Sequence, residues 1–259
     1  MLAEIQKYLS MHPWRDTIEY FECIDSTNTY AKKMAMQGAA EGTVIIAGQQ
    51  TGGRGRLGRS FSSPAGMGIY LSVILRPGCR PEELMHLTCA TGVAAAKAIG
   101  RPATGIKWTN DLVLGKRKLG GILTELSVDP TKGIVDWAVV GIGINCCQKP
   151  WQFPEEIRDM ACSLGMDWQD VPWLIADLII ALQQMRQELF TGKAEIMAQF
   201  RRRCVTIGSE ISILRGENVM HARAIGVDDA GGLQVVYSDG KQETVTSGEV
   251  SIRGMYGYL

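Results

Sequence analysis

Apolar runs and turn residues divide the chain into two parts. Up to about residue 204, apolar runs of strand length alternate with helical segments, including one from Pro81 to Gly100 and one whose apolar residues recur at helical spacing over residues 171–189. From about residue 205, short apolar runs are separated by Gly-Gly and Asp-Gly turns, which are typical of hairpins. The pattern predicts a domain of helices on a sheet over residues 1–204 and a small β-barrel-like domain over residues 205–259. A domain of about fifty residues buries little apolar surface alone, so we expect it to pack against the first.

The segment between two predicted strands, residues 43–48 and 69–75, carries the densest candidate chemistry. Residues 49–59 contain four glycines and three arginines. Glycine lets backbone N–H groups approach an anion closely, and arginine supplies planar, charged donors. We predict a flexible loop that wraps a negatively charged ligand; a solvated basic surface loop is the alternative.

The same segment contains a Gly-x-Gly-x-x-Gly pattern at Gly53, Gly55 and Gly58. A dinucleotide fingerprint needs a helix directly after this pattern, but residues 60–66 are a poor helix sequence. The His-Arg-Asp and Asp-Phe-Gly motifs of kinases are absent, and so is the Gly-x-x-x-x-Gly-Lys-Ser/Thr motif. The glycines therefore predict an anion-binding loop of another kind.

Polar residues also cluster at the ends of other predicted elements. Residues 25–28 precede a helix that is expected to end at Gly38, so helix capping is the alternative to a binding role. Residues 105–125 predict three strands joined by a polar turn and a tight turn. Lys118 begins the last of these strands and is followed by two glycines, which leave room beside it; a solvated edge charge is its alternative. The next apolar strand ends at Asn145, for which capping and a hydrogen bond at the ligand site are the two alternatives.

Composition limits the partners of this protein. The 259 residues include 27 Lys+Arg and 27 Asp+Glu, and 46% are hydrophobic. Bulk attraction to nucleic acid or to a membrane surface is therefore not expected, and any basic site must be local. No apolar run approaches the roughly 20 residues of a membrane span, and the N-terminal residues lack a signal-peptide pattern. These features predict a cytoplasmic protein.

Cysteine and histidine usage argues against a metal site. The seven cysteines form no Cys-x-x-Cys pair, and the three histidines are far apart in sequence. We expect reduced, mostly buried thiols and no zinc site. Redox chemistry at the adjacent Cys146 and Cys147 is the alternative.

Six motifs, in this order along the chain, resemble those of the biotin–protein ligases, the biotin–[acetyl-CoA-carboxylase] ligases. They are residues 25–28, 50–59, 66–72, 107–111, 117–123 and 141–145. The resemblance implies an α+β fold, in which a mixed sheet flanked by helices is similar to the catalytic domain of class II aminoacyl-tRNA synthetases. It also implies that the small C-terminal domain is an SH3-like β-barrel.

The resemblance implies an enzyme that uses ATP, biotin and Mg²⁺. It would activate biotin as biotinyl-5′-AMP, releasing pyrophosphate. It would then transfer the biotinyl group to a specific lysine of the biotin carboxyl carrier domain of a carboxylase, releasing AMP.

Family likeness also assigns roles to individual residues. Lys118, Arg54 and Arg56 are expected to be catalytic. Biotin is expected to contact Ser26, Thr27, Asn28, Gln50, Gly53, Arg54, Gly55, Arg56 and Lys118. The nucleotide is expected to contact Arg54, Arg56, Lys107, Trp108, Asn110, Asp111 and Asn145. No protein metal ligands are predicted.

Two features depart from the family pattern. Thr109 stands where the family usually has proline, which changes loop stiffness more than chemistry. Only about twenty residues precede the catalytic domain, too few for the helix-turn-helix of some relatives, so we expect a short form without a DNA partner. No membrane partner is expected, and the resemblance is compatible with a homodimer formed through a sheet edge.

Three other functions share parts of this pattern. A lipoate–protein ligase would share the fold and the type of reaction, and the Arg-Gly-Arg loop separates it from a biotin ligase. A biotin-binding regulator that has lost catalysis is disfavoured by the intact Lys118 and arginines. A DNA-binding regulator is disfavoured by the short N-terminus and the neutral charge.

Overall fold

The structure, a computed structural model, describes residues 1–215, 218–246 and 249–252 of the chain. Within these ranges, seven strands form one sheet: β1 (Ile18–Phe21), β2 (Val44–Ala47), β3 (Gly68–Leu75), β4 (Thr104–Lys107), β5 (Asp111–Leu114), β6 (Arg117–Asp129) and β7 (Ile134–Asn145). Their spatial order is β1-β2-β3-β7-β6-β5-β4. The strands β1 and β2 are parallel, and the other neighbouring pairs are antiparallel. The predicted mixed sheet is confirmed.

Helices cover both faces of this sheet. The α-helices of the described residues are α1 (Leu2–Tyr8), α2 (Thr27–Met36), α3 (Leu87–Ile99), α4 (Val171–Glu188) and α5 (Lys193–Arg203). On one face, α1, α3, α4 and α5 share a large apolar core with strand residues such as Leu71 and Val140. On the other face, Ala31 of α2 packs with Trp137 and Val139 of β7 in a smaller core. Because β7 is buried on both faces, its sequence is a nearly continuous apolar run.

The helix predicted from Pro81 is divided in two. Residues Pro81–Leu84 form a 3₁₀ turn, and α3 begins only at Leu87. The backbone N–H of Arg80 donates to Glu83 Oε2 at 3.0 Å, which closes the turn. Between turn and helix lies the buried His86, whose Nε2 is 2.8 Å from the Leu189 carbonyl oxygen. The junction between the two elements is thus in contact with a distant part of the chain.

The C-terminal unit is an antiparallel sheet of five strands within the described residues. They are β8 (Glu210–Arg215), β9 (Asn218–Val227), β10 (Leu233–Val236), β11 (Gln242–Val245) and β12 (Glu249–Ile252), in the spatial order β11-β10-β9-β8-β12. The predicted turn after β9 is present, since Asp228 Oδ1 accepts hydrogen bonds from the N–H groups of Ala230 and Gly232. The apolar side chains of this unit belong to the same core as the larger sheet. The proposed boundary at residues 204 and 205 lies between α5 and β8 and stays a prediction.

Trp108 joins the two units. Its indole N–H donates to the Gly231 carbonyl oxygen at 2.8 Å, and its backbone N–H donates to Thr206 Oγ1 at 2.9 Å. The Val205 N–H also donates to the Ile106 carbonyl oxygen at 3.0 Å, so the connection runs beside the edge strand β4. The small unit therefore packs on the larger one, as expected from its size.

Two kinds of feature are absent from the part of the chain that the structure describes. It contains no helix that is both long and apolar enough to cross a membrane. It also contains no cluster of three or more His, Cys, Asp or Glu side chains placed to hold a metal ion.

We expect Trp108→Phe to lower the free energy of unfolding by about 1 kcal/mol, because the buried Gly231 carbonyl loses its donor while most of the ring is kept. Urea denaturation measures this change. Trp173→Phe is the control: Trp173 is 46% exposed on α4, so its replacement should change stability by less than about 0.5 kcal/mol. Equal losses in both variants would contradict a specific role for the Trp108 hydrogen bond.

Candidate active site

A cavity of about 300 Å³ opens on the face of the sheet that carries α2. On this face of β7, Trp137 and Val139 pack under α2, and the next positions along the same face are Gly141, Gly143 and Asn145. The two glycines leave the sheet surface without side chains. The cavity lies over this bare stretch, so it is the glycine motif of β7 that creates its floor.

Strand register orders the residues around the cavity. Gly141 is paired with Ser72 of β3 and Leu123 of β6, and Gly143 is paired with Gly121 of β6. Asn145 is four positions after Gly141 along the strand, a length of roughly 13 Å. The cavity thus has one end near Gly141, a middle near Gly143 and a far end near Asn145.

The near end is a chain of buried polar side chains. Asn28 lies so close to Gly141 that a Cβ there would overlap Asn28 Oδ1. Ser72 Oγ donates to that oxygen at 2.6 Å and also lies 2.8 Å from Thr27 Oγ1. The Thr27 hydroxyl donates to Gln50 Oε1 at 3.1 Å. Asn28, Ser72, Thr27 and Gln50 therefore hold one another in fixed orientations at this end.

This chain extends in both directions. Toward the glycine-rich loop, Gln50 Nε2 donates to Ser63 Oγ at 2.9 Å. Toward the surface, Asn28 Nδ2 donates to Glu125 Oε2 at 3.0 Å, and Lys32 Nζ lies 2.6 Å from Glu125 Oε1. Burial raises the pKa of Glu125, but the hydrogen bonds from Lys32 and Asn28 and the charge of Lys32 outweigh it and hold this pKa below its usual range. The carboxylate stays ionised and orients the Asn28 amide.

Ser26 has the capping role that its position suggested. Its Oγ accepts a hydrogen bond from the Thr29 N–H at 3.4 Å at the start of α2, and Ser26 also lines the cavity. Capping and a binding role are compatible here, because the N-terminus of α2 is itself part of the wall.

Lys118 lies at the middle of the cavity. Its Nζ is 2.8 Å from Asp111 Oδ1, and it is 3.8 Å from the position that a Cβ on Gly121 would take. Since Gly121 is paired with Gly143, the ammonium stands beside the centre of the bare floor. Phe61 packs directly over Gly143, where a Cβ would overlap its ring. Of the two glycines that follow Lys118, only Gly121 lies beside its side chain, whereas a Cβ on Gly120 would overlap the Gly143 carbonyl oxygen.

The loop of residues 49–59, called the arginine loop from here on, lies over the middle section of the cavity. Arg56 Nη1 donates to Asn110 Oδ1 at 3.1 Å, and Asn110 Nδ2 donates to the Ile122 carbonyl oxygen at 3.1 Å. Within the loop, the Gly55 N–H donates to the Arg59 carbonyl oxygen at 2.7 Å. A short 3₁₀ turn, Arg56–Gly58, takes the place of the helix that a dinucleotide fingerprint requires.

The far end is formed by Asn145 and the segment that follows β7. Asn145 Nδ2 donates to the Cys162 carbonyl oxygen at 3.0 Å, and Gln148 Nε2 donates to Asn145 Oδ1 at 3.4 Å. The Lys118 N–H donates to the Met160 carbonyl oxygen at 2.7 Å, so this segment is pinned beside the start of β6. Its lining side chains are mostly apolar: Phe153, Pro154, Ile157, Met160 and Ala161.

The cavity is strongly cationic although the chain is neutral. The charged residues among its described lining are one carboxylate, Asp111, and five cations: Arg54, Arg56, Arg59, Lys107 and Lys118. Concentrated positive charge between low-dielectric walls favours binding of anions. The local basic site expected from composition is therefore present.

All predicted site residues except Gly53 line this cavity. Gly53 instead permits a close approach within the loop, because a Cβ on Gly53 would overlap the Phe61 carbonyl oxygen. Trp108 lines the cavity with little exposure and is held by the C-terminal unit, which also contributes Val250 to the lining. Sequence reasoning missed Phe61, Gln148 and the apolar wall at residues 153–161, because they lie in segments without periodicity.

The seven cysteines are free. Burial raises the pKa of the Cys146 thiol to about 12, and it also raises the pKa of Cys147. A redox-active cysteine needs an accessible thiolate with a low pKa. The alternative of redox chemistry at this pair is therefore not supported.

Comparisons with known proteins identify the family of this chain. Residues 20–145 match the family model of the biotin/lipoate A/B protein ligases, and residues 206–253 match that of the biotin protein ligase C-terminal domain. The chain is 32% identical over 245 residues to the bifunctional ligase/repressor BirA of Bacillus subtilis, covering 92% of this chain and 75% of that protein. The chain belongs to the biotin/lipoate A/B protein ligase family.

Other relatives point to the biotin branch of this family. The biotin–[acetyl-CoA-carboxylase] ligase of Mycobacterium tuberculosis is 32% identical over 237 residues, covering 87% of this chain and 85% of that protein. The structure of the Aquifex aeolicus biotin protein ligase in complex with biotin and ATP superposes with a TM-score of 0.72 at 29% identity, covering 91% of this chain and 98% of that one. The resemblance to biotin–protein ligases and the predicted fold class are confirmed.

We expect Gly141→Ala to weaken the near end of the cavity, because its Cβ must displace the Asn28 amide and break the chain of hydrogen bonds. A loss of about 1–3 kcal/mol in unfolding free energy is expected, as for overpacking, together with reduced biotin binding. Calorimetry and urea denaturation measure the two effects. Gly121→Ala is the matched control for stability, because a Cβ there meets its neighbours at ordinary distances of 3.7–3.8 Å. If Gly141→Ala leaves both the unfolding free energy and biotin binding unchanged, the Asn28 amide has space to move.

Proposed function

We propose that this chain is an ATP-dependent biotin–protein ligase, which forms biotinyl-5′-AMP and transfers the biotinyl group to a lysine of a biotin carboxyl carrier domain. The observation that carries the proposal is the position of Lys118 beside the bare floor of the cavity, between a polar end and an end closed by Asn145. Family membership and the relatives' names support biotin as the substrate.

The first half-reaction joins two anions, and this requirement explains the charges of the cavity. The biotin carboxylate attacks the α-phosphate of ATP, so cations must offset their repulsion and the charge of the transition state. Lys118, held by Asp111, is placed at the middle section where carboxylate and phosphate would meet. Arg54 and Arg56 supply further positive charge from the loop.

The near end of the cavity suits a neutral, hydrogen-bonding ring such as the ureido group of biotin. Ser26, Thr27, Asn28 and Gln50 offer hydroxyl and amide groups whose orientations are set by their mutual hydrogen bonds. Preorganised groups bind a ligand without losing their own freedom on binding. Gly53 lets the loop backbone lie close to the Gln50 amide at this end, and Gly55 lies further along the same loop.

The nucleotide would lie between the wall of Lys107, Trp108, Asn110 and Asp111, which borders the middle section, and the far end at Asn145. Magnesium is expected to enter with ATP, because Mg²⁺ is usually held by one or two carboxylates together with substrate phosphates. Asp111 is the carboxylate available on this wall, and its place beside Lys118 fits that arrangement. An ion held there by Asp111 and the substrate would supply positive charge that offsets that of the phosphates.

The mixed anhydride product is reactive toward water, which gives the arginine loop a second role. The Arg56–Asn110 hydrogen bond holds the loop over the cavity, and a closed loop excludes water from the intermediate. In the second half-reaction the acceptor lysine attacks the carbonyl carbon of the adenylate and AMP leaves. The carrier-domain partner, a homodimer and the absence of a DNA partner stay predictions.

The activity is tested directly with labelled biotin, ATP, Mg²⁺ and a biotin carboxyl carrier domain. We expect label on the carrier only when this protein is present, and biotin-dependent exchange of pyrophosphate into ATP without the carrier. Lipoate in place of biotin should give little exchange. Preferential exchange with lipoate would favour a lipoate–protein ligase.

We expect Lys118→Ala to reduce biotin-dependent pyrophosphate exchange at least about a hundredfold, because the approaching anions lose the cation at the middle of the cavity. Lys132→Ala is the control, since Lys132 pairs with Asp129 at an exposed turn and should leave the exchange unchanged. Normal exchange by Lys118→Ala would refute the catalytic role of this lysine.

We expect Arg56→Ala to release the intermediate, because the loop loses its hydrogen bond to Asn110 and its charge near the phosphate. Biotinyl-AMP free in solution should rise roughly tenfold, the effect of losing a charge-assisted hydrogen bond. Chromatography of labelled biotin separates free from bound adenylate. The exposed Arg101 provides the matched control, Arg101→Ala. Full retention of the adenylate by Arg56→Ala would contradict the role of the loop as a cover.

A further inference from the structure

An ion pair lies behind the near end of the cavity. Lys32 Nζ is 2.6 Å from Glu125 Oε1, and the two side chains are only 23% and 28% exposed. Neither residue is among the described residues that line the cavity. A shielded ion pair contributes little net stability by itself, because desolvation offsets the attraction between the charges. The other contact of Glu125 indicates a role for the pair.

Glu125 also accepts a hydrogen bond from Asn28, which does line the cavity. Asn28 Nδ2 lies 3.0 Å from Glu125 Oε2 and 3.2 Å from the Leu123 carbonyl oxygen. An ionised carboxylate and a carbonyl oxygen can only accept, so together they use both N–H bonds of this amide. Asn28 therefore presents Oδ1, and not Nδ2, to the hydroxyl groups of the near end.

This orientation fixes the direction of the hydrogen bonds that follow. Ser72 Oγ is 2.6 Å from Asn28 Oδ1, so the single hydrogen of the Ser72 hydroxyl is used there. Thr27 Oγ1 is 2.8 Å from Ser72 Oγ and 3.1 Å from Gln50 Oε1, so its hydrogen is also used within the protein. If the Asn28 amide were turned over, it would donate to Ser72 and free the Ser72 hydrogen. The direction of the hydrogen bonds would then be reversed as far as Thr27.

We propose that Glu125, held by Lys32, is a positioning residue that sets the direction of the hydrogen bonds at the near end and thereby the affinity for biotin. This inference rests on the proposed function, because it takes biotin as the ligand. The ureido group of biotin carries N–H groups beside a carbonyl group. It binds well only where donors meet acceptors, since a mismatched pair leaves both groups desolvated and unpaired.

Glu125→Gln tests this role because Lys32 remains in place. The ammonium can only donate, so it takes the oxygen of the new amide and leaves the amide nitrogen facing Asn28. Asn28 must then lose this partner or turn over, which would set its Oδ1 against the Leu123 carbonyl oxygen. We expect the dissociation constant of biotin, measured by calorimetry without ATP, to rise about tenfold, the usual effect of one buried hydrogen bond.

The double variant Lys32→Met/Glu125→Gln separates positioning from a structural effect. Without the ammonium, the new amide is free to present its oxygen to Asn28, so most of the lost affinity for biotin should return. Lys32→Met alone should change the affinity little, because the carboxylate still accepts from Asn28. A purely structural role of the ion pair predicts the opposite order, with the double variant at least as impaired as Glu125→Gln.

Glu41→Gln is the matched control. Glu41 Oε2 is 3.0 Å from Arg186 Nε in an ion pair of similar exposure, and it also accepts from the Arg76 N–H at 2.8 Å. None of these three residues is among the described lining of the cavity. The control should bind biotin like the wild type, whatever loss of unfolding free energy urea denaturation shows.

Steady-state pyrophosphate exchange supplies a second measurement. In Glu125→Gln the KM for biotin should rise, while kcat and the KM for ATP stay at wild-type values. Wild-type affinity for biotin in Glu125→Gln would overturn the inference, and so would a double variant that binds no more tightly than Glu125→Gln. An equal rise in both KM values would indicate general distortion and would also overturn it. A wild type that fails to bind biotin would refute the proposed function, and the inference with it.

Discussion

The missing side chains at Gly141 and Gly143 are the constraint on which the rest of the site depends. The opposite face of the same strand is packed in the main core through Val140, Ile142 and Ile144, so the backbone beneath the cavity is held in place. On the bare face, Asn28 and Phe61 approach the strand more closely than any Cβ would permit. One strand thus supplies both a rigid support and a space, which is how a packed sheet can carry a preorganised site.

Two electrostatic arrangements occupy that space. At one end, a chain of hydrogen bonds runs from the Lys32–Glu125 ion pair through Asn28 to Thr27 and Gln50, which orients these groups before any ligand arrives. In the middle, Lys118 is paired with Asp111, and the arginines of the loop line the same cavity. A neutral chain can therefore bind anions strongly at one place, because charge is gathered locally and partly shielded from water.

Much of this arrangement was predictable, and the reasons are local. Strand and helix periodicity located the elements, and glycine with arginine in one loop indicated anion binding. Capping residues at the start of α2 indicated a helix N-terminus, which now forms part of the cavity wall. Two features were not predictable: His86, between the 3₁₀ turn and α3, is buried against the distant Leu189 carbonyl oxygen, and the apolar wall at residues 153–161 lies in a segment without periodicity.

The sequence by itself determined the order of elements and the chemical groups available, because turn preference and side-chain alternation act over a few residues. It also determined that β7 would carry two glycines and an asparagine on one face. Only the tertiary structure decided which groups meet. The Cys162 carbonyl oxygen, 17 residues away along the chain, accepts from Asn145 Nδ2 and so orients the Asn145 amide toward Gln148. Hydrogen-bond direction depends on the whole set of neighbours, and only folding brings that set together.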